Sequence, residues 1–166
     1  MDARAELDAF TSVQYLYLRE LSEPRDNSLR ITVEEAVSNT SRVATADPTL
    51  LPELQNLMKD AHPIETTDSC RTFEMTWKRY VAYLVTEECV GSCGKYDDET
   101  FQGKLFRLYT KSHFLDHLLR DTGAHTEPIL HYKLICLNHL VDIAAYASPE
   151  VRVISPTMSA IASRVQ

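Results

Sequence analysis

Glycine and long apolar runs are scarce in this sequence. Only four of its 166 residues are glycine, at positions 91, 94, 103 and 123. Four scattered glycines cannot build the loops that let backbone amides approach a phosphate, and neither of the common glycine-rich phosphate motifs is present. No stretch approaches the roughly 20 consecutive apolar residues of a membrane-spanning helix. Phosphate-loop chemistry and a helical membrane span are therefore excluded.

The first residues lack the features of a secretory signal. Met1 to Glu6 read Met-Asp-Ala-Arg-Ala-Glu, without the basic start and the apolar run that define a signal peptide. We therefore expect a cytoplasmic location, and in that compartment the four cysteines are expected to be thiols.

Basic residues are fewer than acidic residues. The chain has 17 lysines and arginines against 24 aspartates and glutamates, a formal net charge of −7. Such a chain has no electrostatic attraction for nucleic acid or an anionic membrane, and a basic partner suits it better. Residues 1–103 hold 19 acidic and 10 basic side chains, whereas residues 104–166 hold 5 and 7. The acidic excess therefore belongs to the N-terminal part.

The overall composition is that of an ordinary globular domain. Hydrophobic residues make up 44% of the chain and charged residues 25%, and 166 residues are enough for a substantial core. We predict one domain over residues 1–166, in which residues 156–166 form a terminal helix or a loose tail.

Alternation of apolar and polar residues indicates a protein rich in β-strands. The strongest β signal covers residues 72–86, and its apolar phase is interrupted at Lys78-Arg79, where a bulge or change of face is predicted. Residues 129–136 predict another strand, and the apolar run through residues 134–137 indicates that it is buried on both faces at the middle of a sheet. Further strands are predicted near residues 13–21, 29–33, 104–110, 140–145 and 151–153.

Helical signals are fewer. Asp47-Pro48 is a good helix start, and Ser112 caps a second predicted helix that ends at Gly123. Residues 2–10 fit a third, short helix. Because helices and strands do not alternate regularly, we predict an α+β fold with a mainly antiparallel sheet of about five to seven strands, packed by two or three helices.

The densest acidic segment is a candidate docking surface for a protein. Its carboxylates flank a short turn that contains glycine and cysteine, and a tyrosine there can serve as an aromatic anchor. Carboxylates steer and hold a cationic partner and discriminate against acidic competitors. The alternative is a solvated loop that only keeps the protein soluble. The candidate residues are Glu87, Glu88, Tyr96, Asp97, Asp98 and Glu99.

Two pairs of residues have the spacing of metal ligands. Cys89 and Cys93 lie in the predicted turn, and His113 and His117 share one face of the predicted helix. Phe114 replaces the glutamate of the H-E-x-x-H motif, which excludes the metalloprotease mechanism from this helix. The alternative is an incidental pair of turn thiols and an exposed helix face.

Acid–base chemistry has three candidate residues. His139 and Asp142 interrupt an apolar run, and together with His131 they are predicted to lie near the mouth of a pocket between the sheet and its helices. The alternative is ordinary hydrogen bonding at a strand end. Cys136 lies in the most apolar segment and is predicted to pack in the core.

The sequence thus supports three functional hypotheses. The first is a small acidic protein-binding module of bacterial type, such as an immunity protein or inhibitor that caps a basic toxin or enzyme. The second is a small-ligand-binding or hydrolytic domain with a pocket near His131, His139 and Asp142. The third is a zinc protein. No cofactor, nucleic acid or membrane contact is predicted under the first hypothesis.

Overall fold

The computed structural model describes residues 3–41, 49, 51–58, 61–91, 98–122 and 127–154. This part of the chain forms mostly antiparallel sheet with four short helices. The elements are α1 (Ala3–Asp8), β1 (Tyr15–Ser22), β2 (Leu29–Ser38), α2 (Pro52–Met58), β3 (Ile64–Glu65), β4 (Thr72–Trp77), β5 (Tyr80–Glu87), α3 (Glu88–Gly91), β6 (Thr100–Gln102), β7 (Phe106–Lys111), α4 (His113–Thr122), β8 (Leu130–Ile135), β9 (His139–Ala145) and β10 (Glu150–Ile154).

The strands form two five-stranded sheets. The first has the order β1-β2-β4-β10, and β3 pairs with the far end of β2. The second has the order β5-β9-β8-β7-β6. All neighbouring strands in both sheets are antiparallel. The predicted antiparallel α+β character is therefore confirmed. The prediction of one sheet of about five to seven strands packed by two or three helices was wrong, because ten strands of the described chain divide between two sheets and four short helices are present.

The chain first passes from one sheet to the other at a short segment. β4 ends at Trp77 and β5 begins at Tyr80, so the chain passes from the first sheet to the second through Lys78-Arg79. The backbone N–H of Tyr80 donates to the carbonyl of Asn27 at 3.0 Å, which holds this corner against the loop between β1 and β2. The interruption predicted at Lys78-Arg79 is confirmed, and its consequence is a change of sheet.

The core lies between the two sheets. The Trp77 ring on the first sheet is 6.0 Å from the Tyr132 ring and 6.3 Å from the Phe106 ring on the second. Phe10, which follows α1, inserts between them at 4.5 Å from Phe73 and 5.4 Å from Phe106. Alternate residues of β2 and β4 are buried, and each large side chain buried in this way stabilises the fold by about 1.5–3 kcal/mol.

One local prediction differs in part from the structure. The strand predicted from residue 129 to 136 is confirmed as β8, but it ends at Ile135 and a turn follows it. β8 does lie at the middle of the second sheet, but the strand buried on both faces is β9, from Leu140 onwards. The predicted helix start Asp47-Pro48 and the tail 156–166 lie outside the described residues.

The turn between β8 and β9 joins the sheets by closing the edge of β1. The N–H of Leu137 donates to the carbonyl of Leu16 at 2.8 Å. The side-chain amide of Asn138 accepts from the N–H of Leu18 at 2.9 Å and donates to its carbonyl at 3.0 Å. An amide side chain has one acceptor and one donor group, so Asn138 pairs with the strand edge as a neighbouring backbone would.

Candidate functional site

A buried chain of hydrogen bonds joins three side chains on the outer face of the second sheet. His131 is 1% exposed, and its Nδ1 is 2.7 Å from the hydroxyl of Ser112. Its Nε2 is 2.9 Å from Oδ1 of Asp142. When Nε2–H donates to the carboxylate, Nδ1 accepts from the Ser112 hydroxyl. We call these three residues the relay; it has the order of groups of a Ser-His-Asp triad, with the two ring nitrogens exchanged.

The topology of the sheet places the relay residues. Asp142 of β9 lies opposite Lys133 of β8, and His131 lies two residues before Lys133 on the same face. Ser112 follows β7 and begins α4, where its hydroxyl accepts the N–H of Leu115 at 3.1 Å. This bond confirms the predicted helix cap. The relay therefore ties the start of α4 to two neighbouring strands.

Aromatic rings enclose the imidazole of the relay. The Tyr109 ring stacks on the His131 ring at 4.4 Å, and the Phe114 ring lies at 5.0 Å. Asp142 also accepts from Nζ of Lys133 at 3.2 Å, which compensates the buried carboxylate. Because Ser112 is only 5% exposed and its oxygen already caps α4, the arrangement is suited to holding the helix on the sheet.

The structure brings together two of the three predicted acid–base residues. His131 and Asp142 meet beneath α4, whereas His139 is the first residue of β9 and lies opposite Glu87. The Nδ1 of His139 is buried and has no hydrogen-bond partner among the described residues. Sequence reasoning identified Ser112 as a helix cap and missed its bond to His131, since no local pattern connects residues 19 positions apart.

Two of the candidate acidic residues are engaged within the protein at the start of α4. Asp98 binds Nζ of Lys111 and Nε2 of His113, each at 2.6 Å. These hydrogen bonds, first that of Lys111 and then that of His113, lower the pKa of Asp98 from 3.8 to about 2. Glu99 accepts the backbone N–H of His113 at 2.9 Å. Both carboxylates therefore support the helix and the strand before it.

The other two described acidic residues lie at the opposite edge of the second sheet. Glu87 ends β5 and is exposed, and Glu88 begins α3. Neither pairs with a lysine or arginine within the described part of the chain. Glu87 accepts from the thiol of Cys89 and raises its pKa. Of the six docking candidates, Tyr96 and Asp97 lie outside the described residues.

The candidate metal ligands that the structure describes do not converge on one point. Cys89 follows β5, and His113 follows β7, which is three strands away, or roughly 14 Å at the usual spacing between strands. Ligands of one zinc ion lie within about 2.3 Å of it. Cys93 lies outside the described residues, and His117 is exposed. Among the described residues, no group of three potential metal ligands occurs.

The outer edge of β5 is open over most of its length. Among the described residues, its one backbone hydrogen bond outside the sheet is that of Tyr80 at the corner. Leu84 and Val85 are 49% and 40% exposed. The hydroxyl of Tyr83 donates to Glu23 at 3.0 Å, so a carboxylate lies near one end of the strand. Glu87 and Glu88 lie at the other end.

Comparison with known proteins adds no relative. No protein-family model matches the chain, and no curated protein or solved structure is significantly similar to it. The helices of the described ranges are each too short, or too polar, to cross a bilayer. The class of the protein is therefore defined by its own geometry, as an α+β fold with two antiparallel sheets.

Proposed function

We propose that this protein is a small acidic binding module for a second protein with a cationic surface. An immunity protein or inhibitor that caps a basic toxin or enzyme in the bacterial cytoplasm is the type of module intended. The observation that supports this proposal most is that neither Glu87 nor Glu88 pairs with a lysine or arginine of the described chain. Both lie next to an exposed apolar strand edge. We place the contact at Glu87 and Glu88, because Asp98 and Glu99 already make hydrogen bonds that support α4.

The charges of Glu87 and Glu88 would contribute more to the specificity of the complex than to its affinity. An exposed ion pair contributes only about 0.2–1 kcal/mol, so Glu87 and Glu88 alone cannot supply a stable complex. Carboxylates at the rim of an interface instead raise the association rate and disfavour acidic competitors. The remaining affinity would come from burial of the neighbouring apolar side chains, Leu84 and Val85.

The proposal is tested by a charge reversal with a matched control. The variant Glu87→Lys/Glu88→Lys changes two carboxylates that have no lysine or arginine partner among the described residues, and Glu53→Lys/Asp68→Lys makes the same change of net charge at exposed positions elsewhere. Each protein is immobilised and incubated at low salt with a lysate of the source cell. We expect a stoichiometric partner on the wild type and on the control, and at least tenfold less on the first variant.

Two results would overturn the proposal. The first is the absence of any stoichiometric partner on the wild-type protein, with the fold verified by circular dichroism. The second is a partner whose recovery is the same for both charge-reversal variants, because binding would then not depend on Glu87 and Glu88.

The relay favours a second candidate function, hydrolysis by a serine nucleophile. His131 is positioned to accept the proton of the Ser112 hydroxyl, and Asp142 orients the ring. Treatment with a fluorophosphonate probe, followed by mass spectrometry, tests this directly with Ser112→Ala as the control. Labelling of Ser112 would support the hypothesis of hydrolysis by a serine nucleophile, and an unlabelled Ser112 would reject it.

A further inference from the structure

We propose that the cationic partner contributes an extended segment that pairs with the open edge of β5 and lengthens the second sheet by one strand. This inference rests on the proposed function, because it assigns the partner's segment to the surface that Glu87 and Glu88 flank. It goes further by naming the backbone of β5, and not only its neighbouring carboxylates, as the part that binds.

From Ala82 onwards, β5 lacks the features that protect exposed strand edges. Its eight residues, Tyr80–Glu87, include no proline, glycine, lysine or arginine. The register of its pairing with β9 is irregular only between Tyr80 and Ala82, and it is regular from Ala82 to Glu87. Natural sheets protect their edges with prolines, lysines, bulges or short strands. The regular part of β5 therefore presents a row of unpaired backbone groups to an added strand.

The other edges described are less suited to pairing. Asn138 and Leu137 already occupy the edge of β1. β6, at the far edge of the second sheet, is only three residues long. β10, at the far edge of the first sheet, is five residues long and carries Arg152 in an ion pair with Glu150, charges of the kind that protect an edge. Among these edges, β5 alone combines length with freedom from its own chain.

The surroundings of β5 specify the chemistry of the added segment. Leu84 and Val85 point to opposite faces of the sheet and are exposed, so they would pack against apolar side chains of the partner. Glu23 lies beside one end of the strand, and Glu87 and Glu88 lie at the other. A segment with apolar residues in its middle and lysine or arginine at its ends matches this pattern, and acidic segments are repelled.

A second copy of the protein fits this edge less well. In an antiparallel pair of β5 strands, the C-terminal end of one copy would lie beside Tyr80 of the other. The edge at Tyr80 is occupied by the carbonyl of Asn27. Arg79, the nearest cation there, is already engaged over the ring of Tyr146 at 4.0 Å and with Glu127 at 3.4 Å. A different chain with its own cations is therefore the better occupant.

The test uses selection from a display library of random linear peptides on the purified full chain at low salt. We expect enrichment of peptides with an apolar middle and cationic ends. Addition of the best synthetic peptide should slow hydrogen exchange of the amides in residues 84–87 at least tenfold. A version with glutamate for its lysines and arginines, and one with a central proline, should each bind at least tenfold more weakly.

Proline variants of the protein test the backbone contact without a change of charge. Successive backbone N–H groups of a strand point to opposite sides. Of the variants Val85→Pro and Thr86→Pro, one therefore removes an N–H at the open edge and the other removes an N–H that pairs with β9. The variant that retains the wild-type circular dichroism should bind the selected peptide at least tenfold more weakly. If both variants unfold, the exchange measurement on the wild type decides.

The outcomes separate this inference from the proposed function. Cationic peptides that depend on Glu87 and Glu88 but leave the exchange of residues 84–87 unchanged would overturn strand addition and keep the proposed function. Failure to enrich any cationic peptide would overturn both. A dimer of the wild-type protein in sedimentation that is lost in the folded proline variant would identify a second copy as the occupant and overturn the inference.

Discussion

β1 and β5 are edge strands of equal length, eight residues each, but their outer edges differ in the hydrogen bonds that they make with the rest of the chain. The edge of β1 is closed by the Asn138 amide and by the backbone of Leu137. The edge of β5 meets its own chain only at Tyr80 within the described residues. The edge of β1 is therefore closed by one turn, through a side-chain amide and a backbone N–H, and where no such turn is present the strand backbone remains available to another molecule.

The largest expected effect comes from opening the closed edge. Asn138→Leu removes both hydrogen bonds to Leu18 and leaves its N–H and carbonyl unpaired in a half-buried place. We expect a loss of about 2–4 kcal/mol in the free energy of unfolding, since each unsatisfied group costs about 1–3 kcal/mol. Urea denaturation followed by Trp77 fluorescence measures it. A loss below about 0.5 kcal/mol would show that the turn does not stabilise the edge.

Cys136 provides an independent readout of the same change. Its thiol is 2% exposed, and burial raises its pKa to about 12, so it should react slowly with a thiol reagent in the native protein. In Asn138→Leu, loosening of the turn should speed this reaction at least tenfold, while the exposed Cys89 reacts at an unchanged rate. Equal rates at Cys136 would indicate that the turn stays closed.

A smaller effect is expected from the relay, which holds the second sheet to α4. Ser112→Ala removes the helix cap and the bond to His131, and we expect the protein to lose about 1–2 kcal/mol of stability. Ser69→Ala, which changes an exposed hydroxyl outside any helix, is the control and should stay within about 0.5 kcal/mol of the wild type. Equal urea midpoints for the two variants would contradict a stabilising relay.

The contribution of Asp98, beside the short edge strand β6, to the free energy of unfolding should depend on pH. Because Lys111 and His113 lower the pKa of Asp98 from 3.8 to about 2, its contribution to stability is complete above pH 3.8 and is lost as the pH falls through about 2. Asp98→Asn should therefore be less stable than the wild type at pH 5, and the difference should shrink at pH 2. A difference that is constant with pH would contradict this pairing. Urea midpoints at both pH values measure it.

The smallest effect is expected at the open edge. Leu84 is 49% exposed, and Leu84→Lys should change the free energy of unfolding by no more than about 0.5 kcal/mol. It places a charge of the kind that natural edges use for protection. Differential scanning calorimetry measures the change. A large loss would show that a part of the same chain already packs on this edge, and the contrast between β1 and β5 would disappear.

Local patterns predicted much of the architecture correctly. The break at Lys78-Arg79 was visible because it interrupts an apolar phase, and Ser112 was visible as a cap because capping acts within four residues. The described members of the acidic segment lie beside β5 at one edge of the second sheet and beside β6 at the other. Strand order, which no local pattern encodes, separates them.

Charge, strand segments and the cap of α4 are properties that the residues carry locally, because composition, alternation and capping depend on near neighbours. Which carboxylates remain available and which strand edge stays open depend on contacts made across the fold. Asn138 closes β1 from 120 residues away, and Lys111 and His113 engage Asp98 only because β6 and β7 pair. Such contacts form when the sheets assemble, so the open edge of β5 becomes apparent only in the folded molecule.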